Sequence, residues 1–307
     1  GAAQFLSPAT VGNGVYQSRA QSNYRSQTMA GNSLYRTIVV GWDGRYKNKN
    51  EDVKNYLGLG GQIISDQVMN GILQTNYATL NAAYHMYFDE EVQKNFSLGL
   101  GVTFTQSNLQ LDKLKFYDQF SQGVFINNSQ SISLQNLNSS ASKVSVNTGL
   151  LYTKHNENSF LQFSANAFFM SKPELTINNN AAASAFKSLV FLNFEKEVND
   201  NKKTVMAHAS YSNRNNMNQL LVGAAFSLPF GSYYEYVNRI YVGLFYRMGD
   251  AVIPQFSMLM KQYRFGISYD VYSRGMTGAV LNPNSFELSF STSFGQKRSN
   301  NFRTIFD

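Results

Sequence analysis

The 307-residue chain has a net charge of +7, 15% charged and 14% aromatic residues, and no cysteine. Charged residues usually make up about a quarter of a soluble domain, and the apolar residues here are so dispersed that no window approaches the roughly 20 needed for a membrane helix, which excludes a helical membrane protein. The absence of cysteine excludes disulfides and thiolate metal sites, and the scattered Lys and Arg residues lack the clustered footprint of a nucleic-acid binder.

No charged-then-apolar export signal opens the chain, so Gly1 is read as lying at or near the start of a processed form. Residues 1–14 are expected to form an N-terminal periplasmic segment. From residue 15 the dominant pattern has period two, which places alternate side chains on opposite faces of a strand. Strands are predicted at 15–26, 34–46, 55–66, 72–88 and 95–108. In the last of these, Phe96, Leu98, Leu100, Val102 and Phe104 alternate with Ser97, Gly99, Gly101, Thr103 and Thr105, giving one oily and one small polar face. Gly58, Gly60 and Gly61 lie on a predicted strand and open no helix, so they are read as barrel glycines and not as a phosphate loop.

A long connection, 109–143, follows. Its Lys113, Lys115, Phe116, Tyr117, Asp118 and Phe120 combine rings and charges in the way protein-contact surfaces do, which makes them the candidate partner-binding group. Further strands are predicted at 144–155, 159–170, 185–197, 203–213, 217–229, 237–248, 251–261, 262–272 and 284–296. Tyr263, Phe265, Ile267, Tyr269 and Val271 alternate with polar or small residues in the penultimate strand, as do Phe286, Leu288 and Phe290 in the last.

The sum is an all-β protein: one transmembrane antiparallel β-barrel of about fourteen strands over residues 15–296, in the outer membrane. An even strand number leaves both termini on one side, periplasmic by barrel convention, with residues 297–307 as a C-terminal periplasmic tail. The long connections 109–143, 171–184 and 273–283 then share the extracellular face.

On the inward faces of the last four predicted strands stand Arg239, Arg247, Arg264, Asp270 and Glu287, a candidate lumen charge network. Mixed signs favour a network that stiffens the wall over a selectivity lining, because such a wall repels neither cations nor anions strongly. In the tail, Lys297, Arg298, Phe302 and Arg303 are candidate periplasmic contacts. The three histidines, His85, His155 and His208, lie on separate strands. His85 and His208 fall on polar faces, where a membrane hydrolase would carry its base, but no nucleophile elbow, metal spacing or paired-carboxylate motif accompanies them. No catalytic residue, metal or cofactor is assigned.

Several motifs in order resemble the PorP/SprF family of outer-membrane proteins of the type IX secretion system of Bacteroidetes. They are Phe5-Leu6-Ser7-Pro8-Ala9-Thr10-Val11-Gly12, with Ser7 where the family usually has Asn, then Asn23-Tyr24-Arg25, Leu57-Gly58-Leu59-Gly60-Gly61 with Asp66, and Ala82-Ala83-Tyr84-His85. Lys113 to Phe120, Tyr246-Arg247 with Asp250-Ala251, Ser268-Tyr269-Asp270-Val271 and Ser285-Phe286-Glu287-Leu288-Ser289 follow. The tail lacks the Cys that some relatives carry. The resemblance implies a non-enzymatic component or accessory of that system. Its partners would be a secreted adhesin or other type IX cargo, periplasmic or outer-membrane components of the machinery, and outer-membrane lipid, with no nucleic acid. The alternatives weighed against it are a passive porin or lipophilic-solute transporter, and a membrane-embedded hydrolase.

Overall fold

A computed structural model describes residues 7–28, 34–47, 55–88, 93–121, 124–126, 131, 139–170, 185–198, 203–214, 217–231, 238–272 and 284–295. Fourteen strands close a barrel: β1 (Ser18–Thr28), β2 (Leu34–Lys47), β3 (Tyr56–Val68), β4 (Leu73–Tyr87), β5 (Lys94–Leu109), β8 (Ser140–His155), β9 (Ser159–Met170), β10 (Ala185–Glu197), β11 (Thr204–Arg214), β12 (Met217–Phe230), β13 (Asn238–Arg247), β14 (Ala251–Met260), β15 (Tyr263–Tyr272) and β16 (Asn284–Phe294). Two short strands, β6 (Phe120–Ser121) and β7 (Val124–Phe125), form a separate hairpin in the long connection. Each barrel strand pairs antiparallel with its chain neighbours, β5 pairs directly with β8, and β1 pairs with β16 to close the ring. Closure leaves no edge strand, which is what a bilayer requires of backbone donors and acceptors.

The period-two pattern explains the sidedness. Along β5, Leu98, Leu100, Val102 and Phe104 are exposed on the outside, while Ser97, Thr103 and Thr105 are buried inside. In β15 the exposed set is Phe265, Ile267, Tyr269 and Val271, and Asp270 is buried within. Among the described residues no helix is long and apolar enough to cross a membrane. The crossing is made by strands, with the oily residues turned to lipid.

Two predicted strand starts shift by three residues or more. The strand expected from residue 144 begins at Ser140, because Ser140–Lys143 extend the pairing with Asn108–Thr105 of β5. That stretch has no alternating apolar residues to announce it. At the start of the barrel, β1 begins at Ser18 and not at residue 15, since Val15 is buried with the segment before it.

We call the end of the barrel where β1 begins and β16 finishes the terminal end, and the opposite end the loop end. β5, β9 and β15 all end at the loop end, and β8, β10 and β16 all begin there.

Candidate functional site

The segment before β1 has local reasons for its shape. Ser7 is extended and caps a single 3-10 turn, Pro8–Thr10: its Oγ accepts the N–H of Ala9 at 3.1 Å, and Pro8 occupies the first position, where no N–H is needed. Gly12 then turns the chain at φ +74, a conformation that favours glycine.

Sequence reasoning places residues 1–14 in a periplasmic segment outside the barrel. The structure corrects this for residues 7–14, which lie inside the terminal end against the inward faces of β2, β3, β4, β5, β8 and β9. Ser7, Ala9 and Val11 are fully buried. The physical reason is a floor of glycine. Side chains built on Gly58 or Gly99 would collide with the backbone of Val11 or Ala9, and one on Gly149 would come within 2.9 Å of Ser7 Oγ. Only a wall stripped of Cβ atoms lets a second backbone approach so closely.

Polar contacts then fix the segment. Asp43 accepts the N–H of Gly12 at 2.8 Å and is itself held by Arg19, whose Nε lies 3.1 Å away. His85 Nε2–H donates to the carbonyl of Val11 at 2.7 Å, and its Nδ1 lies 2.7 Å from the hydroxyl of Ser97, which donates to Asn95 Oδ1 at 2.6 Å. The ring of Tyr56 stacks on His85 with centroids 4.3 Å apart. Ser164 donates to Ser7 Oγ at 3.2 Å. Ala9 also joins an apolar cluster with Leu151, Leu189 and Phe191, with Phe168 packed against it, so the lumen here is a packed interior. His85 is thus an anchor for the segment. His208 hydrogen-bonds through its two nitrogens to Asn193 and Ser210. No group of three or more metal-ligating side chains occurs among the described residues.

The five candidate lumen charges divide into two places. Near the loop end, Arg247 donates to Asp270 at 2.7 Å and to Asp250 at 2.8 Å. Arg25, on β1, completes the group by donating to Asp270 at 2.9 Å and to Ser285 at 3.1 Å. Beside it, Glu287 accepts from Asn23 at 2.6 Å. The contacts of Arg25 and Asn23 cross the β16–β1 seam where the chain meets its own beginning. Arg239 stands at the terminal end instead, donating to Ser227 at 3.0 Å with Glu197 3.8 Å away, and Arg264 lies over the ring of Tyr241.

The connection from β5 to β8 is partly folded. Residues Leu111–Lys113 and Tyr117–Gln119 form 3-10 turns, Gln119 Oε1 accepts the N–H of Phe116 at 2.9 Å, and Asp118 accepts from Ser131 at 2.8 Å. The β6–β7 hairpin is continued by Ile126 N–H bonding to the carbonyl of Gln119 at 3.0 Å. Tyr117 is 94% exposed, and Phe120, Val124 and Ile126 are exposed beside it, while Lys113, Lys115 and Asp118 reach solvent and Phe116 is half-buried. The candidate tail residues Lys297, Arg298, Phe302 and Arg303 lie outside the described residues.

Residues 2–292 match the model of the family described as type IX secretion system membrane protein PorP/SprF. The chain belongs to the PorP/SprF family. It is a type IX secretion-associated protein of the outer membrane. Among solved structures, this PorP/SprF barrel is similar to a Pseudomonas aeruginosa FadL homologue, with a TM-score of 0.56 and 8% identity over 90% of each chain. It is also similar to the P. putida toluene transporter TodX, with a TM-score of 0.52 and 13% identity over 96% of this chain and 95% of that one. At such identities the likeness is one of fold. No curated protein matches the sequence.

Three functional features of this PorP/SprF chain escape sequence reasoning. The first is Arg25, whose partner is 245 positions away and is met only when the ring closes. A second is the pair Val124 and Ile126, which stand in a Ser- and Asn-rich stretch with no periodicity. The third is the inward course of residues 7–14. Its signal is present in Gly58 and Gly99, but an inward glycine does not say what approaches it.

Proposed function

We propose that this PorP/SprF barrel is a non-enzymatic accessory that delivers or retains a secreted surface protein, such as an adhesin, through protein contacts at its loop end. The observation that carries this reading is the exposure of Tyr117, Phe120, Val124 and Ile126, apolar or aromatic side chains on and next to the folded hairpin of the connection between β5 and β8. Exposed rings beside cations are characteristic of protein-contact surfaces, where a few aromatic anchors supply most of the binding energy. The terminal end, where residues 7–14 lie within the lumen, faces the machinery of the secretion system in this arrangement.

A passive porin or lipophilic-solute transporter needs an open or gated lumen. The packed cluster of Ala9, Leu151, Leu189 and Phe191 supports the protein-contact reading over that one. A photo-cross-linking residue at Tyr117 in intact cells tests the proposal. A cross-link to a secreted surface protein is the expected result. Cross-links only to lipid, together with solute-driven swelling of liposomes that hold the purified barrel, would favour the transporter instead.

A further inference from the structure

The lumen differs at its two ends. It is filled at the terminal end, whereas toward the loop end the inner face of β12 reaches solvent at Gln219. Just above the packed cluster, Lys187 of β10 and Arg214 of β11 are directly opposed in register, and both point inward. Lys187 stands two residues from the buried Leu189 on the same face and lies over the ring of Phe168, 5.7 Å from its centroid. Opposed residues on neighbouring strands have Cβ atoms only about 5 Å apart, and like charges in that relationship destabilise a sheet. Several other inward cations of the barrel have carboxylates: Arg19 has Asp43, while Arg25 and Arg247 share Asp270. Among the described residues, neither Lys187 nor Arg214 has an acid within ion-pair distance.

From across the lumen, Tyr77 of β4 comes within electrostatic range of Arg214. Its other charged neighbour is Asp66 of β3, which accepts from Thr37 and has its buried Oδ1 without a hydrogen-bond partner. Two cations opposed in register and a phenol on a third strand thus face the lumen near the loop end, with the Asp66 carboxylate beside the phenol.

We propose that Lys187, Arg214 and Tyr77 form a binding site for an oxyanion, a phosphate or carboxylate group that enters from the loop end. An anion there relieves the repulsion between the two cations, with the Arg214 fork offering two parallel donors and Lys187 a compact charge. Asp66 opposes the anion and sets the limit on its affinity.

The test uses the purified full-length barrel in detergent, titrated with inorganic phosphate or with acetate against chloride at constant ionic strength. Thermal unfolding is followed by heat-modifiable gel migration. The expected result is a rise in unfolding temperature that saturates with one or both oxyanions, and the two arms tell which group is preferred. Lys187→Gln or Arg214→Gln should weaken the apparent affinity by about tenfold or more, the loss of one charge-assisted contact. Asp66→Asn should leave the saturable rise in place at lower anion concentration. No oxyanion-specific rise in the parent protein, or an unchanged rise in Arg214→Gln, would overturn the proposal. Should both cation variants fail to fold, the Asp66→Asn variant decides: weaker oxyanion binding there than in the parent refutes the site.

Discussion

A methyl group on Gly58 would collide with the carbonyl oxygen of Val11. The wall and the inserted segment are thus fitted to each other at the level of backbone, and Gly58→Ala should either expel the segment or strain the barrel. Overpacking of this kind costs about 1–3 kcal/mol. The chain has no cysteine, so a single Thr10→Cys replacement reports on the segment. Thr10 is 2% exposed, and the thiol introduced there should react slowly with a maleimide in the otherwise unaltered barrel and rapidly alongside Gly58→Ala. Fast labelling without the glycine replacement would mean that the segment is not seated.

Gly99 and Gly101 both face inward on β5, yet they predict opposite outcomes. A Cβ at Gly99 meets the backbone of Ala9, with Ala9 Cα at 2.5 Å, whereas one at Gly101 meets only the side-chain oxygen of Asn81, which can swing aside. Gly99→Ala should lower the unfolding temperature markedly, and Gly101→Ala should change it little. Between them, Leu100 is 62% exposed on the lipid face. Leu100→Arg should cost about 2–4 kcal/mol near the midplane, measured by denaturant titration in lipid vesicles. Equal costs for the two glycine variants would contradict the placement of residues 7–12.

Asp43 joins the segment to β1 through Arg19, and the two side chains are only 2% and 8% exposed. Removing the carboxylate alone buries a guanidinium without that counter-charge, so Asp43→Ala should destabilise by about 3–5 kcal/mol. The double replacement Arg19→Met with Asp43→Leu should cost less than Asp43→Ala, because no charge is left inside. A double-mutant cycle on unfolding free energy checks this, and additive single costs would show that the pair does not act as a unit.

What the sequence reveals and what it hides follow from the range of each interaction. The strands are legible because lipid on one face and a polar interior on the other impose alternation residue by residue, as in Phe96 to Thr105. Ser140 to Lys143 escape notice because their outward positions near the rim carry no apolar demand. Arg247 and Asp270 are recognisable as inward by parity, but parity cannot say that Arg25 joins them, since that depends on which strands close the ring. The descent of Ser7 to Gly12 into the lumen is of the same kind: Ser7 and Pro8 announce a turn locally, while its destination is set by glycines on three strands, Gly58, Gly99 and Gly149.

The functional proposal rests on the loop, and the structure sharpens how to remove it. Ser140, Ala141 and Ser142 pair with Asn108, Ser107 and Gln106 of β5, so a deletion reaching residue 142 would damage the barrel itself. Removing 121–138 spares those pairs while deleting β7, Val124 and Ile126 and the Ser131 contact to Asp118. Shortening a surface loop changes its closure entropy only slowly with length, so barrel abundance and heat-modifiable migration should match the parent protein. Cargo on intact cells, read by antibody labelling, should fall sharply. Tyr117→Ala alone, in the full loop, should reduce it less, by the share one exposed aromatic anchor supplies, about 1–2 kcal/mol of contact energy or roughly five- to thirtyfold in affinity. Normal surface cargo with the loop shortened would remove Val124, Ile126 and the hairpin from the mechanism. Normal cargo in cells lacking the whole barrel would end the delivery reading, while the oxyanion site would still stand on its own titration.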